Sequence, residues 1–249
     1  MKKSPYLFTI LLVANIFVLS ACQVLPWFSV VRGSGDIITE SRSVSGFNAV
    51  QLDGAGILIV SQGDSESLEI SADDNLMDSL TAQVEENTLV LGYQDQPWRK
   101  TLLPSRPVVY NLTITDLTQL TLNGAGDLEI QSLQTNALVL AINGAGNIEI
   151  NDLSAEHLSV NLAGTAAIEV SGVVTTQMIN LDGAGDYQAE DLQSQSATIE
   201  ISGLGSGTVW ATETLDVTIT GGGSVSYYGS PSISEQISGL GEVKNLGEK

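Results

Sequence analysis

A glycine-centred motif returns along most of the chain at an almost fixed interval, and few folds can satisfy that constraint. Leu52-Asp53-Gly54-Ala55-Gly56 recurs as Leu122-Asn123-Gly124-Ala125-Gly126, Ile142-Asn143-Gly144-Ala145-Gly146 and Leu181-Asp182-Gly183-Ala184-Gly185. Looser copies are Ile201-Ser202-Gly203-Leu204-Gly205, Ile219-Thr220-Gly221-Gly222-Gly223 and Ile237-Ser238-Gly239-Leu240-Gly241, while Leu162-Ala163-Gly164-Thr165-Ala166 keeps only its first glycine. From Gly124 onward the first glycines are spaced by 20, 20, 19, 20, 18 and 18 residues.

Around each motif the residues alternate. Leu138, Leu140 and Ile142 fall on one side with Val139 and Ala141 on the other, and past the glycines Ile148 and Ile150 flank an outward Glu149. Leu158, Val160, Leu162, Ile168 and Val170 repeat this in the next unit. Period-two alternation of aliphatic residues means half-buried strands. Glycine, which enters positive φ without steric cost, is expected to turn the chain between them. One repeat then makes one coil whose inner face is covered only when coils stack.

The expected fold is therefore all-β, a right-handed parallel β-helix with coils of 18–20 residues. A propeller blade needs about 40 residues. The residue before the corner is Leu or Ile in all eight copies, so the stacked coils should carry one aliphatic ladder, with a short amide ladder starting at Asn123 and Asn143. Gly207 stands where an inward apolar residue belongs, which predicts a local bulge. Regular coils are expected over 111–249 and irregular N-terminal coils with longer excursions over 36–110, including one helical turn within Asp73–Leu80, all in a single domain over 36–249.

The N-terminus carries a different signal. Lys2 and Lys3 precede an apolar run from Tyr6 to Leu19, which Leu19-Ser20-Ala21-Cys22 closes with small residues. This order of charge, apolar run and small residues is that of a secretory signal. The run falls short of the roughly 20 residues that span a bilayer as a helix. The tetrad resembles the bacterial lipobox, which implies cleavage before Cys22 and acylation at Cys22. Residues 1–21 are then signal peptide and 22–35 a lipidated tether, where Trp27 and Phe28 either rest at the lipid boundary or pack on the first coil. Gln23 in place of aspartate resembles lipoproteins sent to the outer membrane of two-membraned bacteria. In a host with one membrane, the protein would stand on the outer face of the cytoplasmic membrane.

Removing the signal leaves 228 residues, enough for one domain with a core. It also takes Lys2 and Lys3 away, so the formal charge moves from −20 to −22. Such a field repels nucleic acid. Cys22 is the one cysteine, so no disulfide supports the fold.

The chain resembles the head GIN domain family, labelled an autotransporter adhesin head, over roughly residues 33–245. The residues that carry the likeness are Gly33-Ser34-Gly35, Glu40, Arg42, Phe47, Asp74-Asn75-Leu76, Asn87-Thr88-Leu89-Val90 and the repeated Gly-Ala-Gly-Asp/Asn corners. The resemblance implies a β-helical fold in a secreted or lipoprotein setting and supplies no catalytic residues. The polar end, Val243 to Lys249, shows no membrane β-barrel segment, so self-translocation is not expected.

Little in the sequence points to catalysis. His157, the single histidine, follows Glu156 at an expected turn and reads as a surface residue. Without a free thiol or a second histidine, Ser-His and Cys-His chemistry and a zinc site lack their parts. Glu129, Glu149 and Glu169 recur with the repeat and read as a solvated face rather than the paired carboxyls of a polysaccharide hydrolase or lyase. Asp127, Asn147 and Asp186 follow corner glycines and are weak candidates for calcium, with turn geometry as the alternative. The glycine loops lead into strands, not into the helix that a phosphate cradle needs.

One segment leaves the repeat. Gln94–Pro107 gathers Trp98, Arg99, Lys100 and Arg106 with Pro97, Pro104 and Pro107, a cationic patch on an acidic body. It is the candidate binding loop, for an envelope glycan or a protein partner. The corner glycines Gly54, Gly56, Gly124, Gly126, Gly144, Gly146, Gly183, Gly185, Gly203 and Gly205 are assigned to structure. The expected protein is lipid-anchored, needs no cofactor and binds rather than catalyses, with a polysaccharide-active enzyme on the same scaffold as the alternative.

Overall fold

The computed structural model describes residues 29–94 and 100–249, without the side chains of Ser29 and Lys100. Two units are distinguished. In the smaller, β1 (Ser29–Arg32) pairs in parallel with β8 (Lys100–Leu103), Ser29 opposite Lys100 and Arg32 opposite Leu103. Residues 29–32, counted with the tether in the sequence, thus form a strand.

The larger unit, 33–94 with 104–249, is a β-solenoid. The first coil is β3 (Ala49–Leu52), the Gly54 corner and β4 (Ala55–Gln62). β10 (Gln119–Leu122), β11 (Ala125–Ile130) and β12 (Leu133–Gln134) form the second, and β13 (Ala137–Ile142) opens the third. From there whole coils read as long strands, β14 (Ala145–Leu162), β15 (Thr165–Leu181), β16 (Ala184–Ile201) and β17 (Leu204–Ile219). The stack ends with β18 (Gly222–Tyr228), β19 (Ser232–Ile237) and β20 (Leu240–Gly247).

Every pairing between these coils is parallel and in register at the corner. Leu52, Leu122, Ile142, Leu162, Leu181, Ile201, Ile219 and Ile237 stack one above another, the ladder the repeat predicts. All but Ile237 are buried, each worth about 1.5–3 kcal/mol relative to exposure.

The coils differ in length, yet the corner stays aligned. Ala145 faces Thr165, 20 residues on, while Leu162 faces Leu181, 19 on. The difference is absorbed between Ile150 and Leu153, and later between Glu169 and Gly172, between Ala189 and Gln193 and again between Ser194 and Ser196. These sites lie on the side of the coil after the second strand. Gly172 sits there at a φ of 128°, a left-handed conformation that lets the chain turn with one residue fewer.

Two expectations are corrected. None of the corner glycines has a positive φ. They are required by closeness instead. A Cβ on Gly144 would stand 1.8 Å from the Gly124 carbonyl oxygen, and one on Gly146 would stand 1.7 Å from that of Gly126. The backbone of one coil lies against that of the next, and no side chain fits between. Nor does Gly207 mark a bulge, for it pairs in register with Tyr187 on one side and Val225 on the other. A Cβ there would meet Ile199 Cδ1 at 2.2 Å, so glycine clears space for the fully buried Ile199.

The N-terminal region is not a set of looser parallel coils. β7 (Thr88–Tyr93) lies parallel on β3 but antiparallel to β6 (Leu80–Glu85), through a two-residue turn in which Glu86 and Asn87 take φ of 46° and 69°. Positive φ at both central residues is the turn that matches strand twist in a tight hairpin. β9 (Val109–Ile114) lies parallel on β4 and antiparallel to β5 (Ser67–Asp73), which pairs antiparallel with β2 (Ile37–Arg42). The single turn α1 (Asp74–Met77) follows β5 and buries Leu76 and Met77. Among the described residues no helix is long and apolar enough to cross a membrane.

Candidate functional site

Asp73, at the end of β5, is inaccessible to solvent, yet it is fully hydrogen-bonded. Its carboxylate accepts from the Gly35 amide (2.8 Å), the Ser105 amide (2.9 Å) and the Ser105 hydroxyl (2.6 Å). The Ser105 hydroxyl, then the two backbone amides, hold its pKa below the ordinary carboxylate value against the opposing effect of burial. A Cβ on Gly33 would collide with this carboxylate at 2.2 Å, and the Ser34 amide donates to Asn75 Oδ1 (3.0 Å). So Gly33-Ser34-Gly35 and Asp74-Asn75, far apart in sequence, form one joint. Arg42 adds to it by donating to the Met77 carbonyl (3.3 Å) while paired with Glu40 (3.0 Å).

Ser105 pins the segment Pro104–Val108 in place. The Ile57 amide donates to the Val108 carbonyl (2.8 Å), and a Cβ on Gly56 would stand 2.6 Å from that oxygen. Gly56 thus lets the segment lie against the corner. Between them runs a shallow groove of about 410 Å³, with Ala55, Gly56, Ala125 and Gly126 as floor. Its charged lining residues are Arg106 and Asp127. Arg106 is exposed and makes no ion pair among the described residues. Beneath the floor, Tyr110 is buried with its hydroxyl unpartnered, and burial, then the nearby Tyr93, raises its pKa.

The remaining candidates are scattered. Cys22, Trp27, Phe28, Trp98 and Arg99 lie outside the described residues, and of Lys100 only the backbone, in β8, is described. Asn147 donates from its side chain (2.8 Å) and its amide (3.1 Å) to Asp127 Oδ1. Asp186 takes the Ser206 hydroxyl. Ala167 stands in register between Asn147 and Asp186, so the three calcium candidates do not converge. No group of three His, Cys, Asp or Glu side chains placed to hold a metal ion occurs among the described residues. His157 lies within β14 rather than at a turn, exposed, with Nδ1 2.7 Å from the Thr176 hydroxyl. Glu129, Glu149 and Glu169 stack in register on the outer face.

The amide ladder is present and extends further than the two asparagines. Asn143 donates to Asn123 Oδ1 (2.9 Å), and Asn123 to Asp53 Oδ1 (2.7 Å). One polar feature escaped the sequence reading. Gln177 fills an inward position between Leu158 and Ala197 and is buried. It accepts from the Tyr187 hydroxyl (3.0 Å) and donates to Ser194 Oγ (2.9 Å), which donates to the Trp210 carbonyl (2.8 Å). Its signal is a glutamine at an aliphatic ladder position half a coil, 10 residues, from a tyrosine at another.

A family model described as "Putative auto-transporter adhesin, head GIN domain" matches residues 46–231. Among solved structures, the chain is 26% identical to a "putative adhesin" from Bacteroides fragilis, covering 87% of this chain and all of that one, at a TM-score of 0.81. A "putative lipid binding protein" from Parabacteroides distasonis is 24% identical over 88% of this chain and all of its own, at a TM-score of 0.71. A "putative adhesin" from Parabacteroides merdae is 20% identical over 87% of this chain and 99% of its own, at a TM-score of 0.65. The last two speak to the fold alone. No curated protein matches.

Proposed function

The chain belongs to the head GIN domain family, and from that premise we propose that it is a lipid-anchored envelope protein, non-enzymatic and adhesin-like, that holds an acidic glycan chain in the groove beside Arg106. The observation that carries the reading is an exposed guanidinium that makes no ion pair among the described residues, on a strongly acidic body and beside a floor of methyl groups and backbone. Arg binds carboxylate in a bidentate fork, a geometry that a lysine cannot offer. The groove is open to solvent rather than enclosed, which suits a polymer laid across it better than a buried small molecule. The adhesin name of the Bacteroides fragilis relative agrees with a binding role. For the anchor, the support is Leu19-Ser20-Ala21-Cys22 behind an apolar run. Several acyl chains on Cys22 would hold the protein on the membrane. That membrane is the outer one in a two-membraned host and the cytoplasmic one otherwise.

Binding of the mature chain to immobilised acidic and neutral envelope glycans tests the reading. Acidic glycans should bind, and Arg106→Ser should weaken them by about tenfold, a loss of about 1.4 kcal/mol. Unchanged binding in that variant rejects the groove. Recovery of shortened glycan rejects the non-enzymatic reading and turns attention to Glu129, Glu149 and Glu169. Labelling with radioactive palmitate, lost in Cys22→Ser, tests the anchor separately.

A further inference from the structure

The last coil sets a carboxylate into an inward ladder, where Gln177 is the polar residue of an earlier coil and no earlier coil places a charge. Leu215, Val217 and Ile219 of β17 are buried, and β19 places Ile233, Glu235 and Ile237 in register beyond them. Among the described residues β19 pairs with β17 and leaves its other edge open, and all six of its residues are exposed. Ile233 and Ile237 are 37% and 42% exposed, and Leu240, opening β20, is 90% exposed. Among the described residues β19 is therefore a free parallel strand edge with two apolar side chains flanking one carboxylate on the core side.

We propose that this edge binds an extended peptide segment of a protein partner, added as one more parallel strand on β19, with an apolar–basic–apolar pattern at every second residue facing Ile233, Glu235 and Ile237. An open edge offers the backbone hydrogen bonds of strand addition, and alternate side chains supply the selectivity. The pattern follows from charge complementarity. An apolar residue facing Glu235 would take the carboxylate out of water unpaired, whereas Lys or Arg there pairs with it. A second copy of the same edge fits poorly, because a pairing that sets Ile233 against Ile237 also sets Glu235 against itself, and like charges directly opposite destabilise a strand pair. This inference is independent of the Arg106 groove.

Fluorescence anisotropy on the mature chain, with a labelled Val-Thr-Arg-Thr-Val-centred peptide, is the test. A matching peptide with Glu at its centre is the control, and a third peptide moves the Arg by one place and so turns it to the opposite face. The parent should bind the first peptide best. Glu235→Lys should lose about tenfold for the Arg peptide and gain for the Glu peptide, with Arg106→Ser unaffected, each tenfold being about 1.4 kcal/mol. Because Glu235 is exposed, Glu235→Lys should unfold as the parent does, and Ile233→Ser serves as a second probe of the same edge. Equal binding of all three peptides, no binding by the parent, or binding unchanged in both variants overturns the proposal. So does a parent that sediments as a dimer through this end, which would give the edge to a second copy.

Discussion

The two ends of the solenoid face the same problem and meet it differently. A stack of parallel coils cannot close itself, because its terminal coil always leaves an unpaired backbone edge and half of an apolar core. At the N-terminal end the chain reverses. β6 and β7 form an antiparallel hairpin, β5 runs antiparallel to β2 and β9, and Leu76, Met77, Leu80, Leu89 and Leu91 are buried there. At the C-terminal end no described strand covers β19, and Ile233 and Ile237 lie partly in water with Glu235 between them. Covering the core takes a change of strand direction and residues outside the repeat, and among the described residues it moves the unpaired edges onto β2 and β6. The repeat by itself produces an end that is open to a partner.

The ladder before the corner offers the strongest way to break this comparison. Ile142→Ala, deep in the stack, should cost about 4 kcal/mol, and Ile237→Ala, in the same ladder at the open end, less than about 1 kcal/mol in urea unfolding. Equal losses would mean that the C-terminal end is covered after all. The corner glycines sharpen it next. An added Cβ meets a backbone oxygen at 1.8 Å at Gly144 and at 1.9 Å at Gly239, so the static clashes are alike. Gly144 is held by coils on both sides, whereas the coil of Gly239 can move outward. Gly144→Ala should therefore cost about 3 kcal/mol and Gly239→Ala about 1 kcal/mol, and matching costs would show the terminal coil to be as confined as the interior.

The smallest effect concerns the closed end. Folding lowers the Asp73 pKa, so the stability it supplies is complete above the unfolded carboxylate value of about 3.9 and is lost as pH falls from there through the lower folded value. Asp73→Asn should be less stable than the parent at neutral pH, by less than Gly144→Ala, and should lose less on acidification below about pH 4. An unchanged acid limb in stability measured against pH would show that other carboxylates govern it.

Much of this was legible because the repeat is a physical constraint written directly in residue types. The inward ladder, the amide ladder and the helical turn after Asp73 follow from Leu/Ile before each corner, from Asn123 and Asn143, and from the break in alternation. What the sequence conceals has a common cause. The corner glycines suggest a special backbone conformation, but their reason is the neighbouring coil, which no local pattern displays. Gly207 looks like a defect in its own strand because the side chain it makes room for, Ile199, belongs to the preceding coil. The groove was half visible. Arg106 stood out by its charge, while the Ser105–Asp73 bonds that hold it in place join residues 32 apart.

The sequence by itself determined that coils form and how they stack, since a fixed period with aliphatic alternation leaves the chain one way to bury its apolar side. Only the tertiary structure decided where the stack is closed and where it is open, and which cation faces a groove. Those depend on pairings between distant segments, Gly33–Gly35 with Asp73, β2 with β5, Ser105 with Asp73, whose partners are chosen by geometry that appears only once the coils are in place.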